Sequence, residues 1–263
     1  MSASNTTKYT SKIIKAGALL PDTKMLLAHW DQKLDRRANL ARMRQDNIFG
    51  KASRSRIRDI LVVFRQRYLS DPDVLKALLI LVERHVPAQT LDTILYYLSM
   101  RSDALLYDAV TEVLFPRISN GQNNIHVDEM EQWIRKQVNA GKSKQPWGDE
   151  TIERCAQGIM ATLRDFGVLQ GKVNKQIASL YLPTSSFAFI AFLLNKETRS
   201  GERLLNHPDW RLFFLSQQAV ERFFLEAHQN RLLEYHAAGR VIRIDFPAKT
   251  IEEYAHVVAQ RAY

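Results

Sequence analysis

Cysteine occurs once in the 263 residues, at Cys155. No disulfide can form within the chain, and a reducing compartment, the cytoplasm, is the expected setting. Glycine and proline are scarce, ten and eight, which argues against a loop-rich or repeat-built chain. Long apolar runs are missing too. The longest is Phe187 to Leu194, "FAFIAFLL", far short of the ~20 residues that span a bilayer. The start, "MSASNTTKYTSKIIKAG", has no apolar core of a secretory leader, so none is expected. Acidic residues are also outnumbered: 28 Asp and Glu face 37 Lys and Arg, a net charge of +9.

What is present is core-forming material, 46% hydrophobic with 10% aromatic residues, enough for one large or two to three small folded domains. The basic excess points to a polyanionic partner. It is also concentrated. Between Lys33 and Arg67 eleven Lys and Arg meet only Asp35, Asp46 and Asp59, nearly the whole excess in one short segment.

Most of the chain reads as helix. Residues 9–20 and 22–34 suggest two helices around Pro21, which suits a first turn. A basic, polar run follows to Gly50, with Ser53 placed to cap a helix over 54–68. At about 100° per residue, Ile57, Ile60, Leu61, Phe64 and Tyr68 form its buried stripe. Arg54, Arg58 and Arg65 border the stripe on one side, Arg56 and Arg67 on the other. Such arginines can merely cover a core rim with their stems. As a group, without acids at i±4 to neutralise them, they favour an anion-binding surface. Segments 71–86 and 87–118 read as further helices, the first capped by Asp71 or Asp73 and broken at Pro87, so the first hundred residues are expected to be all-α.

From residue 104 the order becomes helix, short strand, a helix capped by Asp128, a helix over 149–166 and a hairpin over 168–182. That is the order of a winged helix-turn-helix. A second, similar set follows: helices in "SSFAFIAFLLNKE" and "SQQAVERFFLEAHQN", the latter with Val220, Phe223, Phe224 and Ala227 on one face, a hairpin around Ala238-Gly239, and a closing helix. The expected fold is therefore mainly α: a helical, basic N-terminal domain (1–98), a winged-helix domain (99–183) and a second winged-helix-like domain (184–263).

Chemistry is sparse. "GVLQGKVNK" lacks the spacing and the Ser/Thr of a Walker loop and reads as a wing tip. There is no H-E-x-x-H or C-x-x-C, and the seven histidines are scattered. Cys155 lies in an apolar-rich helix and reads as a small core residue. The acids Asp128, Glu129 and Glu131, and Asp149, Glu150 and Glu153, fall in first helical turns, where the macrodipole suffices to explain them. No enzyme activity, cofactor, metal or small-molecule substrate is expected, and no membrane contact. The expected partner is double-stranded DNA, held through Arg42, Arg44, Lys51, Arg54, Arg56, Arg58 and Arg65, with Lys142, Lys144, Lys172 and Lys175 beside the first wing. Thr151 and Arg154, with Gln157, are the limited base-reading set of an otherwise acidic recognition helix. Arg222, Arg231, Arg240 and Arg243 are candidates of the same kind in the second module. A protein-interaction scaffold and a winged-helix transcriptional regulator remain alternatives.

The segment "WGDETIERCAQGIMATLRDFGVL" (147–169), with Trp147, Thr151, Gly167 and Leu169, resembles the BrxA family of bacterial BREX phage-resistance systems. "GALL" (Gly17 to Leu20), "NIFG" (47–50) and "FAFIAFLL" extend the resemblance over most of the chain. It implies a small, non-enzymatic, DNA-binding accessory protein of a phage-defence operon, with other BREX proteins as partners.

Overall fold

The computed structural model describes residues 8–15, 17–51, 53–172, 174–239 and 241–262. The chain is mainly α with two small antiparallel sheets. A 3-10 turn at Ser11–Lys15 is followed by α1 (Leu20–Ala28), α2 (Arg36–Gln45), α3 (Arg54–Tyr68), α4 (Pro72–Glu83) and α5 (Ala88–Arg101). Then come α6 (Ala104–Asp108), a π-helical stretch (Ala109–Leu114), α7 (Phe115–Ser119), β1 (Asn124–Ile125), α8 (Val127–Asn139), α9 (Asp149–Asp165), β2 (Leu169–Gln170) and β3 (Lys175–Ile177). The chain ends with α10 (Thr184–Glu197), α11 (Gly201–Leu205), a 3-10 turn (Pro208–Phe213), α12 (Gln217–Gln229), β4 (Glu234–Ala238), β5 (Val241–Asp245) and α13 (Ile251–Arg261).

Two compact units result, one from 1–19 with 99–180, the other from 20–98 with 181–263. In the first, β3 is the central strand, antiparallel to β1 and β2, with Ile125 opposite Lys175 and Leu169 opposite Ile177. Helix α8 packs on α9, and α9 also receives the 3-10 turn at Ser11–Lys15. That contact needs Gly158: a Cβ there would lie 3.1 Å from the carbonyl oxygen of Ile13. Glycine costs a helix interior about 1 kcal/mol relative to alanine, offset here by the close approach of a second backbone. The Tyr9 amide donates to the Lys142 carbonyl at 2.8 Å, and the Tyr9 hydroxyl donates to Asp108.

In the second unit α10 is buried almost throughout, from Ser185 to Phe192 and again at Leu194. Phe187 stacks on Trp210 with ring centres 4.5 Å apart, and Phe192 stacks on Tyr254 at the same distance. Polar bonds run between the two segments: Thr90 to Ser185 at 3.1 Å, Tyr96 Oη to the Leu212 carbonyl at 2.8 Å, and Tyr97 Oη to Asp209 Oδ2 at 2.8 Å. Helices α4 and α13 pack together, with Lys76 on Glu252 at their edge. The second sheet is the β4–β5 hairpin, Tyr235 opposite Ile244.

Several expectations hold locally. Ser53 caps α3, accepting from the Arg56 amide, and Asp71 caps α4. The buried residues of α3 include Ile57, Ile60, Leu61, Phe64 and Tyr68. On α12, Val220, Phe224 and Ala227 are buried, and Phe223 is half-buried. Others are corrected. Residues 9–20 are not a helix beyond the 3-10 turn, and α1 ends at Ala28 instead of running to 34. The cause of that stop is Asn39, fully buried, whose side chain accepts from the Asp31 amide and donates to the Asp31 and Leu34 carbonyls. It holds the 31–35 loop in place of further helix. The basic run after it contains a helix of its own, α2, capped by Asp35. Asp128 is not the cap of α8; it lies in the first turn, one residue after Val127, and Glu129 accepts from the His126 amide.

Asp209 is 1% exposed and relies on donors such as Tyr97. Tyr97→Phe should lower unfolding stability by about 1–3 kcal/mol, the cost of leaving a buried acceptor short of a donor. A urea titration of the variant against the native protein measures it.

Candidate nucleic-acid interface

The basic segment lies on α2, α3 and the loop between them. Helix α3 buries one stripe, so its remaining positions must carry charge or small polar groups into water. Arg54, Arg58 and Arg65 are exposed along its border, and Arg44 is exposed on α2. Arg44, Arg58 and Arg65 rim a shallow groove of about 220 Å³ between the two helices, with Leu40, Ala41, Leu61 and Val62 as its floor. Among the described residues, Arg44, Arg54, Arg58 and Arg65 make no ion pair; Arg58 donates to the Ser55 hydroxyl at 3.4 Å. Four guanidinium groups are thus held on rigid helices without a carboxylate to neutralise them.

The other cations of this segment are differently employed. Arg42 is half-buried and donates to the His29 carbonyl, closing the end of α1. Lys51 sits 3.3 Å from the buried Asp22. Arg56 is half-buried. Arg67, expected on the solvent border with Arg56, is 6% exposed and faces the core.

In the unit of 1–19 and 99–180 the lysines also divide. Lys142 Nζ lies 3.0 Å from both Asp108 and Glu112 and over the Tyr9 ring. Desolvation pulls its pKa down, but the bonds to Glu112 and Asp108 outweigh it and the net shift is upward. Lys175 folds back on the Gly171 and Lys172 carbonyls, and burial, then Arg164, lower its pKa. Lys144 and Lys172 are exposed. On α9, Thr151 is half-buried in the first turn, and exposed Arg154 pairs with Glu150 at 3.4 Å. Gln157 donates to Glu153, and Asp149 pairs with Arg135. The acids are dense enough that Glu131 has a raised pKa, from desolvation and then from Asp128 and Glu153. Gly167 ends α9 in the left-handed region at φ 77°, its amide donating to the Arg164 carbonyl, the position glycine favours after a helix. Arg222 and Arg231 are exposed on and after α12, Arg243 pairs with Asp245 at 2.6 Å, and Arg240 lies outside the described residues.

Sequence reasoning had no means of separating the engaged cations from the idle ones, because the partners of Arg42, Lys51 and Lys142 are distant in the chain. The helix that carries Arg44 did have a signal: Asp35 as cap, then "RRANLARMRQ", a run of good helix formers.

Among the described residues no group of three or more His, Cys, Asp and Glu could hold a metal ion, and no helix is long and apolar enough to cross a membrane. What these features define is a mainly α, strongly basic protein with small antiparallel sheets. Residues 7–194 match the BrxA family model, well over half of the chain. The chain belongs to the BrxA family, which makes it a BREX-associated protein. No curated protein matches it.

Cys155 is buried and its thiol is pushed up to about 12, by desolvation first and then by Asp103. At pH 8 the folded protein should therefore resist thiol labelling, and full labelling should appear only on unfolding in denaturant. Ellman's reagent with and without guanidinium checks this.

Proposed function

We propose that this protein is a non-enzymatic accessory component of a BREX phage-defence system that holds duplex DNA mainly by its phosphates, with little reading of sequence. The observation that carries the reading is the set of four exposed arginines on α2 and α3 with no ion pair among the described residues. Guanidinium groups pair with phosphate oxygens bidentately. Exposed surface cations normally lie interspersed with acids; here the few acids, Asp46 and Asp59 among them, form no ion pair with these four arginines, which favours affinity for a polyanion.

The order α6–α7, β1, α8, α9, β2, β3 supports a winged helix-turn-helix in which α9 would face the major groove and Lys172 the backbone. The acids of its first turn argue for shallow, sequence-tolerant contact, because carboxylates near phosphates are repelled. They also weigh against a sequence-specific transcriptional regulator. A second reading, a scaffold for an acidic partner protein, draws on the apolar floor of the α2–α3 groove, where Val62 is 41% exposed.

Binding to an unrelated duplex across a salt series tests the proposal. Log K should fall with log salt at about 0.9 per phosphate contacted, with a slope of five contacts or so. Changing Arg54, Arg58 and Arg65 together to Ala should lower that slope by roughly two to three units at ~0.9 per lost contact. No binding at low salt would sink the DNA reading and leave the scaffold reading in its place.

Lys142→Ala gives a contrasting outcome. It strips Asp108 and Glu112 of their cation, so the thermal midpoint should drop while the salt slope stays within error of native. Differential scanning calorimetry paired with the same titration separates the two effects.

A further inference from the structure

Residues 195–263 lie beyond the part matched by the family model, yet they hold an open cavity in the unit of 20–98 and 181–263. It is about 480 Å³ and opens between the end of α12, the β4–β5 hairpin and the end of α13. That volume is within the range of small-molecule sites, roughly 300–1,000 Å³. Arg231 and Arg261 stand at its edge, both exposed, and neither makes an ion pair among the described residues. Leu233, Phe246 and Pro247 supply an apolar wall. Phe246 is fixed by edge-on contacts with Phe192 and Tyr254, at 5.2 and 5.4 Å. Of the two carboxylates on the lining, Asp245 is taken up by Arg243 at 2.6 Å, and Glu234 lies 3.6 Å from His236, which neutralises it only when the imidazole is protonated.

Arg231 also closes α12. Its φ is 56°, in the left-handed region. Its amide donates to the His228 carbonyl and the Leu232 amide to the Ala227 carbonyl, the bond pair that closes a helix C-terminus. Glycine usually fills that position because a Cβ is strained there. Here an arginine takes that position and lines the cavity; His85 closes α4 with the same bond pair at φ 53°, so the strained cap alone is no sign of a ligand. Cations are favoured at helix C-termini by the carbonyl ends, which also temper the field an anion would meet. That account explains the charge at 231 and 261 but not the cavity.

We infer that this cavity binds a nucleotide phosphate together with its base, the phosphoryl group between Arg231 and Arg261 and the base along Leu233, Phe246 and Pro247. The same chemistry is offered by a free nucleotide and by a phosphorylated strand end. The inference does not rest on the α2–α3 reading, since none of its residues belongs to that face.

The test is calorimetric titration of the full chain at low salt with adenosine monophosphate, adenosine, inorganic phosphate and a short single strand with or without a 5′-phosphate. Adenosine monophosphate or the phosphorylated strand should bind about tenfold or more tighter than the partial ligands, since either half alone forfeits contacts. The free nucleotide alone binding identifies a small-molecule source; the strand alone identifies a nucleic-acid end. Arg231→Gly relieves the left-handed strain, so the thermal midpoint should hold or rise, while affinity falls about tenfold or more. Arg261→Gln should weaken binding comparably, and Arg231→Lys should retain most of it. Binding by neither probe, or native affinity in folded Arg231→Gly and Arg261→Gln, overturns the inference.

Discussion

A helix buried on nearly every side leaves no face for water, and α10 is such a helix. Its phenylalanines at 187, 189 and 192 and its neighbours Ile190 and Leu194 each release about 1.5–3 kcal/mol on burial, but only if other segments cover them. Cover comes from both sides of the chain. The later residues bring Trp210, Phe224 and Tyr254, and the earlier ones bring α5, whose Thr90 bonds to Ser185 and Ser186 of α10 and whose Tyr96 and Tyr97 bond to the turn at Pro208–Phe213. The unit of 20–98 and 181–263 is a consequence of that demand. The tyrosine hydroxyls then matter beyond their area, because each reaches a polar group that would otherwise be stranded in an apolar centre.

The basic character of the chain reads differently once each cation is placed. Net charge counts Arg42, Lys51, Lys142 and Arg54 alike. Position separates them: Arg42 closes a helix end, Lys51 and Lys142 neutralise carboxylates, and Arg54 faces water with no ion pair among the described residues. A surface made of the last kind keeps its field outward, where a diffusing polyanion meets it, while the first kinds spend theirs on the fold.

What was legible in the sequence was local. The apolar spacing on α3 and α12, the caps Ser53 and Asp71, and the turn at Ala238-Gly239 all declare themselves within a few residues. The end of α1 was not legible, because Asn39 lies ten residues downstream of His29 and its role depends on a loop folding over it. Arg67 was misread for a related reason. Its place on the helix border is correct by angle, but neighbouring elements extend the buried surface past the apolar stripe. The idle or engaged state of a lysine or arginine depends on partners far along the chain, 176 residues away for Lys76 and Glu252, and no periodicity records that.

Gly158 and the backbone of Ile13 bring together two residues made about 145 positions apart. At roughly 5–20 residues per second of translation, the segment around Tyr9 and Ile13 emerges and waits on the order of ten seconds before α9 exists to receive it. Throughout that interval Tyr9 and Ile13 are without the burial they later find, and α10 is made last but for the elements that cover it. Each unit is built from two separated segments, so the interior of the first closes only once 99–180 is made and that of the second only once 181–263 follows.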